Sequence, residues 1–177
     1  MYNRIVAVSV FIAMALICGS SMAADIGKIG VVDMQRVLDT SAAGKAASAE
    51  LKTRGETMEA EMQKKGAEIE ELRANLERKA MVMNREKREE AERQLRIEVN
   101  DMKSMQKRYL DEFRELETRL ASRIRDEAFA IVDEMGRKQG FSMILEKREA
   151  GIIYYPSQYD LTDELIKEYN ERYSGGR

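Results

Sequence analysis

Histidine and tryptophan are absent from the 177 residues, cysteine and proline occur once each, and aromatic residues make up only 6%. Without an imidazole there is no zinc site of the usual histidine-bearing kind, and no Ser/His/Asp or Cys/His nucleophile arrangement. The single cysteine, Cys18, falls inside a segment that reads as an export signal. The exported chain would therefore carry neither thiol nor disulfide, even in an oxidising compartment. What is left to an enzyme is carboxylate chemistry. The chain has 32 acidic residues within 35% charged sequence, and at helical spacing these form a solvated face more readily than a catalytic pair. Gly44-Lys45 has no glycine five residues before Gly44 and no Ser or Thr after the lysine, so it is not a phosphate-binding loop. No metal, nucleotide or other cofactor is expected, and the chain reads as non-enzymatic.

What is present begins with residues 1–23, which have the order of a secretory signal. Arg4 supplies the positive end, Ile5 to Ile17 is an almost unbroken apolar run, and Ser21-Met22-Ala23 places small residues where a signal peptidase reads them. Cleavage after Ala23 is expected, with the mature protein in the periplasm. The run is too short to be a membrane span. Ile17, ahead of Cys18, is too large for a lipid-attachment signal.

Loss of Arg4 with the signal leaves 29 basic against 32 acidic residues, a net charge of −3. No nucleic-acid partner is expected from that balance. The distribution is less even than the sum. Between positions 78 and 88 stand Arg78, Lys79, Arg85, Lys87 and Arg88 against Glu86 alone. A solvated helix end is the plain reading. The functional one is a weak contact with an anionic membrane surface or an acidic partner.

The absence of proline before Pro156 lets two long helices form. In the first, Leu51, Met58, Met62, Ile69, Leu72, Leu76 and Met83 share one a/d register, interrupted by Gly55, Lys65 and Lys79. In the second, Leu95, Val99, Met102, Tyr109, Phe113, Leu116 and Leu120 do the same, with Gln106 as intruder. Such a narrow seam suits one partner helix. An arm over 42–139 follows, with a tip near 80–84 where Asn84 is the expected cap of the second helix. Leu72, Leu76, Tyr109, Phe113 and Leu116 are the expected seam. After Leu120 the register steps by four to Ile124, a stutter at which the arm should straighten or meet its base.

Strand-like runs lie outside the arm. Lys28 to Asp33 is one; Phe141 to Leu145 and Ile152 to Tyr155, separated by a polar connection ending in Gly151, read as a hairpin. Thr162 followed by Asp163 and Glu164 starts a last short helix, and 174–177 should be a disordered tail. The expected fold is mainly α with a small β base: a long antiparallel helical hairpin inserted in a short-stranded β-barrel or oligomerisation domain made of 24–41 and 140–173. Ile29, Val31, Ile144 and Ile153 would form that shared base. So few strands bury little core alone, and association is the expected remedy.

Lys28-Ile29-Gly30-Val31-Val32-Asp33-Met34, the charged helical hairpin, the segment after Gly140 and Tyr159-Asp160-Leu161-Thr162-Asp163-Glu164-Leu165-Ile166 together resemble the Skp (OmpH) family of periplasmic chaperones over essentially the whole mature chain. The resemblance implies a homotrimer whose arms enclose a cavity, and unfolded outer-membrane β-barrel proteins held there without ATP. This chain is slightly acidic, where a strongly basic surface would be needed to transfer a lipopolysaccharide site, and none is transferred. Of the 12 methionines, nine remain after the signal. Methionine adapts to varied apolar surfaces, as a promiscuous holder requires. Met81 and Val82 at the turn and Met105 off the seam are the candidates for client contact, whereas Met58, Met62, Met83 and Met102 suit the seam. Gly55 and Gly66 could be tolerated accidents or soft points for bending. The alternative to a chaperone is an envelope spacer or adaptor that docks a partner through its hairpin tip; a carboxylate-dependent hydrolase is a distant third.

Overall fold

A computed structural model describes residues 27–173. The expected export signal at 1–23 and tail at 174–177 lie outside the described residues. Strand β1 (Lys28–Val32) leads directly into helix α1 (Met34–Thr40), capped by Asp33, whose carboxylate accepts the Arg36 N–H at 3.2 Å. Ser41 then ends α1 and caps α2 (Ala42–Lys79), accepting the Gly44 N–H at 3.0 Å. Gly44 is needed there, because a Cβ would lie 1.8 Å from the Leu38 carbonyl oxygen. The 38 residues of α2 extend about 57 Å at 1.5 Å per residue.

A turn over 80–84 reverses the chain. Asn84 caps α3 (Arg85–Gln139) by accepting the Lys87 N–H at 2.9 Å, as the sequence predicts. Gly140, at φ 71°, ends α3 in the left-handed conformation that glycine adopts without steric penalty. Gly136 stays within the helix and offers its carbonyl to the Gly140 N–H. Strand β2 (Phe141–Glu146), a 3-10 turn (Ser157–Tyr159) and helix α4 (Thr162–Tyr173) complete the chain.

The sheet corrects the sequence reading. β2 pairs with β1, in parallel, with Val31 opposite Leu145, and residues 152–155 form no strand. The expected hairpin fails at its connection. The Lys147 N–H bonds back to the Val32 carbonyl and the Ile152 N–H to the Lys147 carbonyl, while Gly151 takes φ 64°. This closed loop turns the following residues away from β2. The other edge of β1 is met by Leu161, whose N–H reaches the Val31 carbonyl at 2.8 Å. Among the described residues the sheet is two-stranded and open, so the expected barrel is not present in one chain. Parallel strands need a long crossover, and here the whole arm is that crossover.

The core sits where the arm meets the base. Leu116, Leu120, Ile124, Ala128, Ile131 and Met135 of α3 pack with Val37 of α1 and with Leu165 and Tyr169 of α4. From Ile124 onward these side chains are at most 2% exposed, so the stutter does mark the junction. Thr162 ties the layers together, its hydroxyl accepting the Asp33 N–H at 3.0 Å inside the core.

Candidate functional site

Three surfaces can make contacts beyond the chain. Along the arm, the seam is unevenly buried. Leu116 is buried, Tyr109, Phe113 and Leu76 are half-buried, and Leu72, expected in the seam, is 37% exposed. On α2 only Met58 and Ile69 are buried beyond the first turns. Two helices alone cover each other on one stripe, so the flanks of that stripe stay open. One flank is an open groove of about 240 Å³ walled by Met58, Met62, Tyr109, Leu110 and Phe113. Leu110, 54% exposed on its rim, was missed by the heptad reading because it lies one residue off the a/d register; an apolar residue beside a seam aromatic was the available signal.

Ion pairs across the seam fix its register. Lys65, an expected interruption, pairs with Glu98, and Arg54 reaches Glu112 at 2.8 Å. The Lys65 bond holds the Glu98 carboxyl below its usual range, and the Glu98 bond raises the Lys65 ammonium correspondingly. Tyr109 donates to Glu61 across the same gap. The two glycines face the returning helix: a Cβ at Gly55 would meet Phe113 at 3.6 Å and one at Gly66 would meet Met102 at 3.8 Å. Both are ordinary contacts, so packing does not require glycine at either site.

At the tip, Met81 is 96% and Val82 85% exposed, while Met105 is half-buried on the flank of α3. Arg78 and Lys79 end α2, and Arg85, Lys87 and Arg88 begin α3. The tip therefore gathers all five of these cations around the turn.

The base carries the third surface. Among its expected residues, Val31 is buried within its own chain, Ile29 and Ile144 are half-buried, and Ile153 is 99% exposed beside Tyr154 at 83%. An open groove between α3 and β2, walled by Phe129, Val132, Phe141, Met143 and Ile144, lies on the same end of the molecule. Behind it runs a polar cluster that the sequence did not announce. Lys147 meets Asp33 at 3.2 Å, Arg36 meets Asp160 at 3.1 Å, and the Tyr155 hydroxyl donates to Asp160 at 3.2 Å. Burial pushes both carboxyls up, but donors outweigh it: the Arg36 N–H and Lys147 on Asp33, Thr162 and Tyr155 on Asp160. Both are held below the usual carboxylate range. Every buried side-chain nitrogen and oxygen among the described residues has a partner. The cluster is thus a satisfied structural network.

Among the described residues no helix is long and apolar enough to cross a membrane. The chain matches no curated protein. A solved structure from Caulobacter crescentus, described as OmpH-like and a candidate outer membrane chaperone, superposes with a TM-score of 0.77 over 83% of this chain and 86% of that one, at 19% identity. That likeness establishes the shared fold. The family model described as outer membrane protein (OmpH-like) matches residues 28–169, which takes in the base strands, the entire arm and most of the closing helix, and so the chain belongs to the OmpH-like family.

Proposed function

We propose that this protein is a periplasmic holdase: a non-enzymatic, ATP-independent chaperone that keeps unfolded outer-membrane β-barrel proteins from aggregating in a space enclosed by the arms of a homotrimer. The observation that carries this reading is the half-open seam. Partway up the two-helix arm, Met58, Met62, Tyr109, Leu110 and Phe113 wall a groove that is open to solvent. Flexible thioether and aromatic walls suit many weak contacts with different apolar segments, which is what holding a sequence-diverse client needs. Membership of the OmpH-like family and the description of the Caulobacter structure support the chaperone class. Met105 lies on the same arm as Met81 and Val82, and all three remain proposed client contacts.

Association supplies the cavity. Ile153 and Tyr154 stand exposed on a segment with no strand partner among the described residues, and the groove by Met143 and Ile144 is open, with apolar walls edged by Asp133 and Arg137. A segment of one copy seated against the next copy would be a head-to-tail contact, which closes into a ring when the rotation permits. Three copies is the number we propose.

The test is to dilute a urea-denatured porin into buffer with and without the protein and follow light scattering. Suppressed aggregation at a molar excess of trimer is the expected result; scattering that proceeds unaltered refutes the holdase and leaves the spacer or adaptor reading in its place.

A further inference from the structure

We infer that Met62 is an oxidation site that regulates the arm groove: its sulfoxide is held by the Gln106 carboxamide, so that a two-electron oxidant of the hypochlorous acid class weakens the grip on client without unfolding the arm. This rests on the groove being the surface that holds client. The register of the seam carries the inference. Gly55 faces Phe113 and Gly66 faces Met102, so between these contacts each step up α2 matches one step down α3, and Met62 stands opposite Gln106. Both line the same open groove. Gln106 is the polar intruder in the α3 register, and it makes no hydrogen bond among the described residues. A thioether is a weak acceptor, so an amide N–H facing it gains little. The other polar groups in the wall are not spare donors: Glu59 accepts from Gln63 at 3.2 Å, and the Tyr109 hydroxyl donates to Glu61. The groove thus holds one uncommitted donor, and it faces a methionine.

Oxidation supplies the missing acceptor. When the Met62 sulfur meets hypochlorous acid, an S–O bond forms and the O–Cl bond breaks. Chloride leaves with the bonding pair, the hydroxyl proton goes to water, and the two electrons lost by sulfur reduce the chlorine. The product side chain is polar, and its oxygen accepts from the Gln106 N–H. Access favours this position within the groove, since Met62 is half-buried whereas Met58 beside it is only 6% exposed. Ion pairs bracket the level on both sides, Arg54 with Glu112 toward the base and Lys65 with Glu98 toward the tip, so the helices stay in step. What changes is the wall, where a polar group replaces an apolar one and apolar client side chains lose their contact.

The test treats the protein with hypochlorous acid and maps added oxygen by peptide mass spectrometry. Met62 should gain oxygen ahead of the buried Met58, Met34 and Met135; oxidation no faster than theirs overturns the proposal. Suppression of porin aggregation is then compared before and after treatment within each protein, so that oxidation at Met81 and the other exposed methionines is common to all. The parent should need about tenfold more protein after treatment, and Met62→Leu under about threefold more. Equal losses in the two would overturn the regulation. Gln106→Leu removes the donor, so treatment should speed hydrogen exchange around position 62 about tenfold in that variant and under about threefold in the parent. Equal acceleration in both would overturn the part given to Gln106. An untreated parent that fails to suppress aggregation is a separate result, which removes the holdase reading and the regulation with it.

Discussion

Single side chains divide between those that hold the base and those that face outward. Thr162 is the clearest of the first kind: buried, it accepts the Asp33 N–H and starts α4. Thr162→Val keeps the volume and orphans that N–H, so it should lower unfolding free energy by about 1–3 kcal/mol in urea titration, while Thr162→Ser restores most of it. Acid should act on the same region. Arg172 and Lys138 hold the Glu134 carboxyl down, from 4.5 to about 2, and Asp33 and Asp160 are also depressed. A carboxyl bound more weakly by protons in the folded state contributes stability above its unfolded pKa and loses it as pH falls through the folded value. Thermal melts followed by circular dichroism should therefore show Tm falling across the window from 4.5 to about 2, with Glu134→Gln flattening the dependence.

At the scale of elements, Gly55 and Gly66 are the informative positions. An added methyl would make ordinary contacts at both, so Gly→Ala should stabilise α2 by about 1 kcal/mol at each site. Hydrogen exchange within the arm would register this as slower opening; faster opening would mean the methyl clashes after all. Leu72 and Leu116 should separate in the same measurement. Leu116→Asp buries a carboxylate and should open the arm at a cost of about 3 kcal/mol or more, whereas Leu72→Asp, on an exposed position, should cost under about 1 kcal/mol. Leu72 and Leu116 share one register but differ in burial, because a heptad register says which stripe faces the partner and nothing about how much of it two helices can cover. Helices, caps and the turn were readable since each is written in neighbouring residues: Asn84 before its first turn, Gly140 after its last. The pairing of β1 with β2 was not. Val31 and Leu145 meet across the whole arm, and no local pattern tells a parallel partner so far along the chain from an antiparallel one a few residues away. Arg36 with Asp160 escaped for the same reason.

For the whole molecule, the base is where copies should meet. Ile153→Asp together with Tyr154→Asp alters side chains that touch little in their own chain, so folding should be retained while sedimentation shows monomer. A folded trimer in that variant would move the interface elsewhere, and a folded parent monomer at micromolar concentration would remove it.

The crossover connection has a consequence for size. Both ends of the arm enter the base side by side, with β1 and β2 pairing below them, and the rungs Lys65 to Glu98 and Arg54 to Glu112 recur up its length. Excising seven residues from each helix at matching heights shortens the reach by about 10 Å and leaves every rung beneath the cut in step. In the proposed trimer, the capacity of the enclosed space should thus be adjustable by paired deletions or insertions while its foundation stays untouched.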